Sequence, residues 1–559
     1  MKKIPPQYKA TIDLRRPETH RALVTLEATK ARSLPLLLTF PVWTPGSYMV
    51  RDYSRHVTRL EGGRKVAKNQ WQLPCGTRRT SWEVYCFEPT VRTSFADARM
   101  ISLNGATLLP LLQSSPFEVE LLLPKSWKMV ASALGFRRAG PGRWNAVVVD
   151  EDHWIDSPVI ACAPGYGGSV TVTARGIRHH VAWVGSQCTR PLPEIAHDFR
   201  KLAEATIRMF GGAPFREYWQ LLHLDEGFYG GLERRCSNLS QFDGGKLHIQ
   251  KDYENFLRLL AHEYFHSWNV KSLRPEALGP FDYTRENYTE ELWFAEGLTD
   301  YFDELIPVRA GLAKEEKFHE AQLKSQERQL DGLPAHRRRS LAEGSFDTWI
   351  RHYRPDEDSD NTDVCYYRKG AVLGWCWDAH LRKHSRGRWS LEKLLRAAWK
   401  KFGVDAYVPL RDARKGYTRE EILSWAEGKT GVKQAALVEA WVTGRKPLPW
   451  REAAKFFRVK PKEKIADLFL HLAGAKLEWK SGMAAIGKVI SESAAEAAGL
   501  SPKDELIAVN GWRIREGEDF LKARLSVGRD AELLLQRAGK VFTAKIRPRR
   551  HQNLGVSYT

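Results

Sequence analysis

The chain has 559 residues, which predicts two to four domains, and its 43% hydrophobic residues and 20 tryptophans are enough for large cores. A formal net charge of +20 would suit a nucleic-acid-binding protein. The basic runs are not interleaved with aromatic residues, however, and no nucleic-acid-binding motif occurs, so we favour a basic surface that does not bind nucleic acid. No stretch approaches 18 consecutive apolar residues, which excludes a membrane-spanning helix.

The first residues and the cysteines bear on the cellular compartment. The segment Met1–Gln7 has no apolar run typical of a signal peptide. The seven cysteines are scattered, odd in number and contain no C-x-x-C pair. These features predict reduced thiols in a cytoplasmic protein, and an export route without a visible signal stays open.

Residues 1–170 are predicted to form an N-terminal β-sandwich-like domain. Short alternating runs at 22–27, 80–85 and 118–123 are separated by Pro and Gly turns, a pattern typical of half-buried strands.

Residues 171–455 are predicted to form a second domain of mixed and then mainly helical structure. Strands are expected at 169–174, 180–184 and 218–224, and an amphipathic helix is expected at 194–209. Further helices are expected at 391–402 and 419–430. A small sheet followed by a helical lobe is the layout of a thermolysin-like catalytic domain.

The pentapeptide His262-Glu263-Tyr264-Phe265-His266 matches H-E-x-x-H. It lies in a helix-like run from Tyr253 to Val270, and residues four apart share one face of a helix. Two neutral imidazoles at this spacing can bind one Zn²⁺, and Glu263 between them can act as general base toward a metal-bound water. The motif predicts a zinc site with His262 and His266 as ligands, and the alternative is a chance match.

A second helix-like segment, Glu290–Phe302, follows the motif. Glu296 is predicted as the third zinc ligand, which leaves a fourth position for water, as in catalytic rather than structural sites. Asp300 lies four residues later on the same helix face and is predicted to accept a hydrogen bond from His262. The alternative is a solvated acidic helix face. Its other members are Glu290, Glu291, Asp303 and Glu304.

Residues 462–559 are predicted to form a C-terminal PDZ-like domain after a linker at 461–464. A strand at 486–490, a short helix ending in Ala-Gly-Leu at 498–500 and an Asn-Gly turn at 510–511 resemble protease-associated PDZ modules. The region at 477–482 lacks a Gly-Leu-Gly-Phe-like carboxylate loop, so a peptide or protein ligand of this module stays an open expectation.

Several segments together resemble the glycyl aminopeptidase family of zinc metallopeptidases. Gly230–Arg235 is similar to the glycine-rich exopeptidase motif of metallo-aminopeptidases, and Tyr366–Ala371 is similar to their Tyr-x-Lys-Gly segment. The order of the motifs is that of the aminopeptidase N group, although the spacing from His266 to Glu296 is longer. Phe40–Tyr48 and the PDZ-like C-terminus point to the glycyl aminopeptidase family instead.

The resemblance implies roles for further residues. Gly230, Gly231 and Glu233 would bind the substrate, with Glu233 pairing with its α-ammonium group. The alternative is a surface Glu233 paired with a neighbouring arginine. Arg234 and Arg235 are the two candidates.

The Tyr-x-Lys-Gly segment implies a hydrogen-bond donor to the oxyanion formed during hydrolysis. By resemblance this donor is Tyr367. Tyr366 competes, because neighbours on a helix point about 100° apart and one of the two faces the zinc. The Phe40–Tyr48 segment is expected to be a structural turn, and the resemblance makes Tyr48 a candidate cleft residue.

The sequence therefore predicts a multidomain α+β zinc aminopeptidase with one Zn²⁺ per chain. Its substrates are predicted to be peptides with an unmodified N-terminus, and the family implies preference for Gly or Ala at that position. The alternatives are a thermolysin-like zinc endopeptidase and a catalytically weak scaffold that binds proteins through its PDZ-like domain. The oligomeric state is not predicted.

Overall fold

The computed structural model describes residues 6–29, 33–112, 115–329, 332–404, 416–514, 524–551 and 554–558. Its chain divides into two compact units. The first comprises Met1–Thr289, Phe302–Lys314 and Leu395–Arg419, and the second comprises Glu290–Tyr301, Glu315–Leu394 and Glu420–Thr559.

The N-terminal part of the first unit is rich in β-structure. Its strands are β1 (Tyr8–Asp13), β2 (Arg21–Ala28), β3 (Leu37–Thr39), β4 (Val57–Thr58), β5 (Arg64–Ala67), β6 (Gln70–Gln72), β7 (Arg79–Tyr85), β8 (Phe95–Ala96), β9 (Met100–Leu103), β10 (Phe117–Leu122), β11 (Met129–Ala131), β12 (Arg137–Gly140), β13 (Arg143–Val148) and β14 (Val159–Cys162), and a short helix, α1 (Glu151–Ile155), precedes β14.

These strands form three sheets. Their orders are β12-β13-β10-β1-β2-β7-β4, β11-β14-β9-β8 and β3-β6-β5. Within β2, Ala22, Val24 and Leu26 are fully buried while the residues between them are less so, which is the alternation that a half-buried strand requires. The predicted β-rich N-terminal region is confirmed.

A mixed sheet and two long helices complete the part of the first unit that precedes residue 270. The elements are β15 (Gly167–Ala174), β16 (Ile177–Gly185), α2 (Leu192–Phe210), β17 (Glu217–Leu224), β18 (Tyr229–Glu233), β19 (Ser237–Phe242) and α3 (Gln250–Phe265). The sheet order is β15-β16-β17-β19-β18, with β17 parallel to both its neighbours. Helix α3 packs against β18 and β19, so the H-E-x-x-H motif and the glycine-rich strand are neighbours.

Helices dominate the sequence from residue 293 to 456. A π-helical turn, Trp293–Gly297, leads into α4 (Leu298–Arg309), and the later helices are α5 (Glu315–Gln329), α6 (Ala335–Arg338), α7 (Leu341–Phe346), α8 (Ser359–Thr362), α9 (Tyr366–His384), α10 (Leu391–Phe402), α11 (Arg419–Thr430), α12 (Ala435–Thr443) and α13 (Trp450–Phe456). In the second unit, α9 packs against α5, α13 and the π-helical turn. The predicted helices 391–402 and 419–430 agree with α10 and α11.

The C-terminal part of the second unit is a small α+β module. Its elements are β20 (Glu463–Ile465), α14 (Leu468–Ala473), β21 (Ala475–Lys480), β22 (Met483–Val489), α15 (Ala494–Ala497), β23 (Glu505–Val509), β24 (Trp512–Arg513), β25 (Ala531–Arg537), β26 (Lys540–Ile546) and β27 (Val556–Tyr558). The main sheet has the order β21-β22-β23-β25-β26, and its apolar face closes over α14 and α15.

The C-terminal module contacts the helices of its own unit through a polar patch. The Asn361 side chain donates to the Val489 carbonyl and accepts from the Ser491 amide, each at 2.9 Å. Lys488 pairs with Asp360 at 2.9 Å. The region at 477–482 is the β21–β22 hairpin, and the PDZ assignment stays a prediction, as do the three domain boundaries.

The overall expectation of a multidomain α+β protein, with a β-rich N-terminal region and a helical region carrying the motif residues, is confirmed. In the described part of the chain, no helix combines the length and the apolar character that crossing a bilayer requires.

Candidate metal centre

Helix α3 places the two motif histidines on one face. Its apolar residues, among them Phe256 and Leu260, are fully buried, which fixes the helix against the sheet. The helix ends at Phe265, and His266 follows as its C-cap with helical dihedral angles, so the four-residue spacing from His262 is preserved. His266 is 1% exposed.

The imidazoles converge through their Nε2 atoms, which are 3.0 Å apart. The Nδ1 atom of His266 lies 2.8 Å from the Asn269 carbonyl, which can only accept, so Nδ1 carries the hydrogen. The Nδ1 atom of His262 lies 2.8 Å from the Asp303 carboxylate, which favours the same tautomer. Two Nε2 lone pairs therefore face each other, and a cation between them relieves this contact.

The donor set fits zinc. Two nitrogens bound to one tetrahedral Zn²⁺ at about 2.0–2.1 Å lie about 3.3 Å apart, close to the observed separation. The partners on Nδ1 are the carboxylate and backbone carbonyl that commonly orient metal-binding histidines. Both predicted histidine ligands thus point their Nε2 atoms at one shared position.

In the sequence, Asp303 stands out only as a member of the alternative solvated acidic helix face, but it is not exposed to solvent. Its side chain is fully buried and contacts both His262 and Arg258, the latter at 3.0 Å. Asp300, the predicted partner of His262, belongs to the second unit and pairs there with Arg368 at 3.3 Å. Both carboxylates lie in one helical segment, and the sequence alone does not separate their orientations.

Glu263 and Glu233 both lie next to His266. Ligand atoms of these three buried residues are all within 4.8 Å of one another. Strand β18 brings Gly231 against the motif helix: a Cβ atom there would lie 2.1 Å from an oxygen of Glu263. The glycine thus makes room for Glu263 itself, whereas Gly230, at φ +154°, has open space beside it.

Glu233 is not a surface residue. It is 3% exposed, and its Oε1 lies 3.4 Å from Lys271 Nζ. The neighbouring Arg234 donates instead to the Pro45 carbonyl at 3.0 Å, and the amide of Arg235 donates to Asp156 at 2.7 Å. The alternative of a surface Glu233 paired with one of these arginines is therefore wrong.

A cavity extends from Glu233 within the first unit. Pro45, Gly46 and Tyr48 line one side, and Lys271 lines another. A Cβ atom at Gly46 would lie 2.3 Å from a Glu233 oxygen, so this turn closes directly over the carboxylate. Both predictions for this segment, a structural turn and a cleft position for Tyr48, are compatible with its place at the wall of the cavity.

In the second unit, Glu296 lies on the π-helical turn and is 2% exposed. Gly297 and Gly370 face each other so closely that a Cβ atom on either would lie within 2.7 Å of the other's Cα. This contact lets α9, which carries Tyr367, approach the turn that carries Glu296. The glycine of the Tyr-x-Lys-Gly segment therefore has a packing role that its sequence position did not reveal.

The two adjacent tyrosines have different environments. The hydroxyl of Tyr366 lies 2.8 Å from that of Thr348, in a fully buried pair. Burial and, after it, the negative charge of Glu296 raise the pKa of Tyr367 well above its usual value. The Tyr367 phenol therefore stays protonated and able to donate at neutral pH.

Two protein-family models match parts of the chain. Residues 9–163 match the Peptidase M61 N-terminal domain, and residues 255–373 match the M61 glycyl aminopeptidase family. Curated protein sequences give no match.

Several solved structures are similar to the chain. An aminopeptidase N family protein from Idiomarina loihiensis has 25% sequence identity and a TM-score of 0.90, covering 99% of this chain and 98% of that chain. The M1 zinc metallopeptidase of Deinococcus radiodurans, bound to a Tyr-Ser-Ala substrate, has 15% identity and a TM-score of 0.49, covering 79% and 95%. Legionella pneumophila aminopeptidase A, in complex with aspartic acid, has 12% identity and a TM-score of 0.46, covering 79% and 50%. The first protein shares the fold over nearly the full length of both chains.

Proposed function

Because this chain belongs to the M61 glycyl aminopeptidase family of peptidases, we propose that it is a zinc-dependent aminopeptidase that removes N-terminal residues, preferably Gly or Ala. The observation that carries the proposal is the convergence of the His262 and His266 Nε2 atoms beside Glu263 and Glu233.

His262 and His266 would hold the metal, with Glu296 as the third ligand and one Zn²⁺ per chain. A bound zinc lowers the pKa of a water molecule and polarises a carbonyl group. The support for the two histidines is their shared tautomer, and the support for Glu296 is its burial as a carboxylate on a turn fixed by Gly297 and Gly370.

Glu263 is proposed as general base. It accepts the proton of the attacking water and passes it to the amine that leaves. Its place supports this role, because the side chain is held between strand β18 and the end of α3, next to His266. Gly231 keeps the space that this side chain needs.

Tyr367 is proposed to donate a hydrogen bond to the oxyanion of the scissile peptide. A donor at this position stabilises charge that develops only in the transition state. The phenol is protonated at neutral pH, as an ordinary tyrosine is, and burial raises its pKa further. The family resemblance favours Tyr367, and Tyr366, whose hydroxyl lies 2.8 Å from that of Thr348, is the alternative.

Glu233 is proposed to bind the α-ammonium group of the substrate. A buried carboxylate within 4.8 Å of the general base would place the N-terminus one residue from the scissile bond. The cavity lined by Gly46 and Tyr48 would receive the N-terminal residue. The adjacent Gly230, whose space is open, is proposed to lie along the substrate backbone.

Kinetics on matched peptides with and without N-terminal acetylation test this function. Wild type should cleave glycyl and alanyl peptides much faster than their acetylated forms. Removing one partner of a buried ion pair costs about 3–5 kcal/mol, so E233A should lose at least about 10²-fold in kcat/KM on the unmodified peptides. Little should change for the acetylated ones. Equal cleavage of both peptide classes by wild type would favour the thermolysin-like endopeptidase instead.

A further inference from the structure

We propose that Lys271 is a positioning residue that holds Glu233 for recognition of the substrate ammonium group. This inference rests on the proposed function of Glu233. In the described ion pairs, the Lys271 ammonium contacts Glu233 and Asp156 and none of the predicted metal ligands.

The position of Lys271 follows from the end of the motif helix. Its backbone amide donates to the His266 carbonyl at 2.9 Å, so the chain after α3 turns back at once. The side chain then runs into the cavity, where Nζ lies 3.4 Å from Glu233 Oε1. One short stretch of chain thus fixes both a predicted zinc ligand and the cation beside Glu233.

Lys271 is held by a second carboxylate. Its Nζ lies 3.6 Å from Asp156 Oδ1, and Asp156 is in turn fixed by the amide and the guanidinium of Arg235, at 2.7 and 3.5 Å. The Lys271 side chain is 7% exposed. Because Arg235 holds the other oxygen of Asp156, Lys271 keeps a carboxylate partner whether or not Glu233 also binds a substrate.

Glu233 needs this support. It lies within 4.8 Å of Glu263, and two buried carboxylates at such a distance repel each other. Among the described residues, Glu233 Oε1 has no hydrogen-bond partner, and the Lys271 ammonium, 3.4 Å away, is its ion-pair partner. We infer that Lys271 occupies Oε1 and leaves the rest of the carboxylate for the substrate.

The opposite role for Lys271 is a built-in competitor that blocks Glu233. The two roles predict opposite effects of removing Lys271 on the affinity for an amine. A competitor, once removed, improves binding of an amine, whereas a positioning cation, once removed, weakens it. The anchored Asp156 favours positioning, because it holds Lys271 to one side of Glu233.

A double-mutant cycle on a glycyl peptide tests the inference, with K271M and E233A alone and together. K271M should lower kcat/KM at least about tenfold, mainly through KM, in the wild-type background, and less than about twofold in the E233A background. K271R should restore most of the loss. Calorimetric binding of glycinamide should weaken in K271M, and zinc content should not change.

Three outcomes would overturn the inference. One is a K271M enzyme with wild-type or lower KM, and another is an equal loss in both backgrounds, which marks a structural role. The third is a wild-type glycinamide affinity in folded K271M, or in K271Q if K271M does not fold. E233A alone separates the two claims. If E233A retains the wild-type kcat/KM, the role of Glu233 as amine anchor is refuted. If E233A loses kcat/KM while K271M does not, only the role of Lys271 is refuted.

Discussion

Replacing Asp303 by Asn probes how the first unit prepares His262 for a metal. The carboxylate accepts from His262 Nδ1 at 2.8 Å and from Arg258 at 3.0 Å, and its side chain is fully buried. Loss of such an outer partner typically costs 10- to 100-fold in metal affinity. The Asn side chain keeps an acceptor oxygen but lacks the negative charge that faces His262 and Arg258, so we expect about 10- to 100-fold for D303N, or about 1.4–2.8 kcal/mol.

The assay is competition for Zn²⁺ between the metal-depleted protein and a chromophoric chelator. E304Q is the matched control. Glu304 is the next residue of α4 and shares Arg258 as partner, at 3.6 Å, but it is 25% exposed and does not contact His262 in any described hydrogen bond or ion pair. Its zinc affinity should stay within about twofold of wild type. Equal affinities for D303N and wild type would refute the assigned role of Asp303.

Three further predictions follow from the buried groups. E263Q should retain zinc and fold while losing about 10²–10⁴-fold in kcat, and near wild-type turnover of peptides would contradict the general-base role. Y367F should lose about 10²-fold or more in kcat with little change in KM. Y366F, which removes a hydroxyl that contacts Thr348, should lose much less in kcat. A larger loss in kcat for Y366F than for Y367F would assign the oxyanion role to Tyr366. Burial lowers the pKa of Lys369 from 10.5 to about 8, so the folded state disfavours its ammonium form, and stability should rise between pH 8 and pH 10.5. K369M should therefore have a larger free energy of unfolding than wild type at pH 7, by up to about 3 kcal/mol, and urea unfolding should show this difference shrinking toward pH 10. A K369M protein less stable than wild type at both pH values would show that burial of the ammonium group does not destabilise the fold.

The elements best predicted from the sequence are those whose residues carry a local period. The amphipathic helix predicted at 194–209 and the alternating strand at 22–27 lie at or near the observed bounds of α2 and β2, because buried and exposed positions recur along each of them. The H-E-x-x-H motif belongs to the same class. Its spacing alone predicts the shared face that the structure shows for His262 and His266.

The residues that the sequence did not reveal reach the site through tertiary contacts. Lys271 and Asp156 lie more than a hundred residues apart, and Asp303 looked like one of several acidic residues on a helix. None of these three positions follows a local pattern, because each depends on how α3 and its C-terminal turn pack within the first unit. The sequence likewise leaves the choice between Tyr366 and Tyr367 open, and the contact of Tyr366 with Thr348 depends on how α9 packs within the second unit.

Zinc content measured together with activity tests the central claim most directly. Metal analysis of the purified protein should find about one Zn²⁺ per chain, dialysis against a chelator should abolish peptide hydrolysis, and added zinc should restore it. H262A should bind little zinc under the same conditions. A preparation that hydrolyses glycyl peptides at full rate without bound zinc would contradict the account.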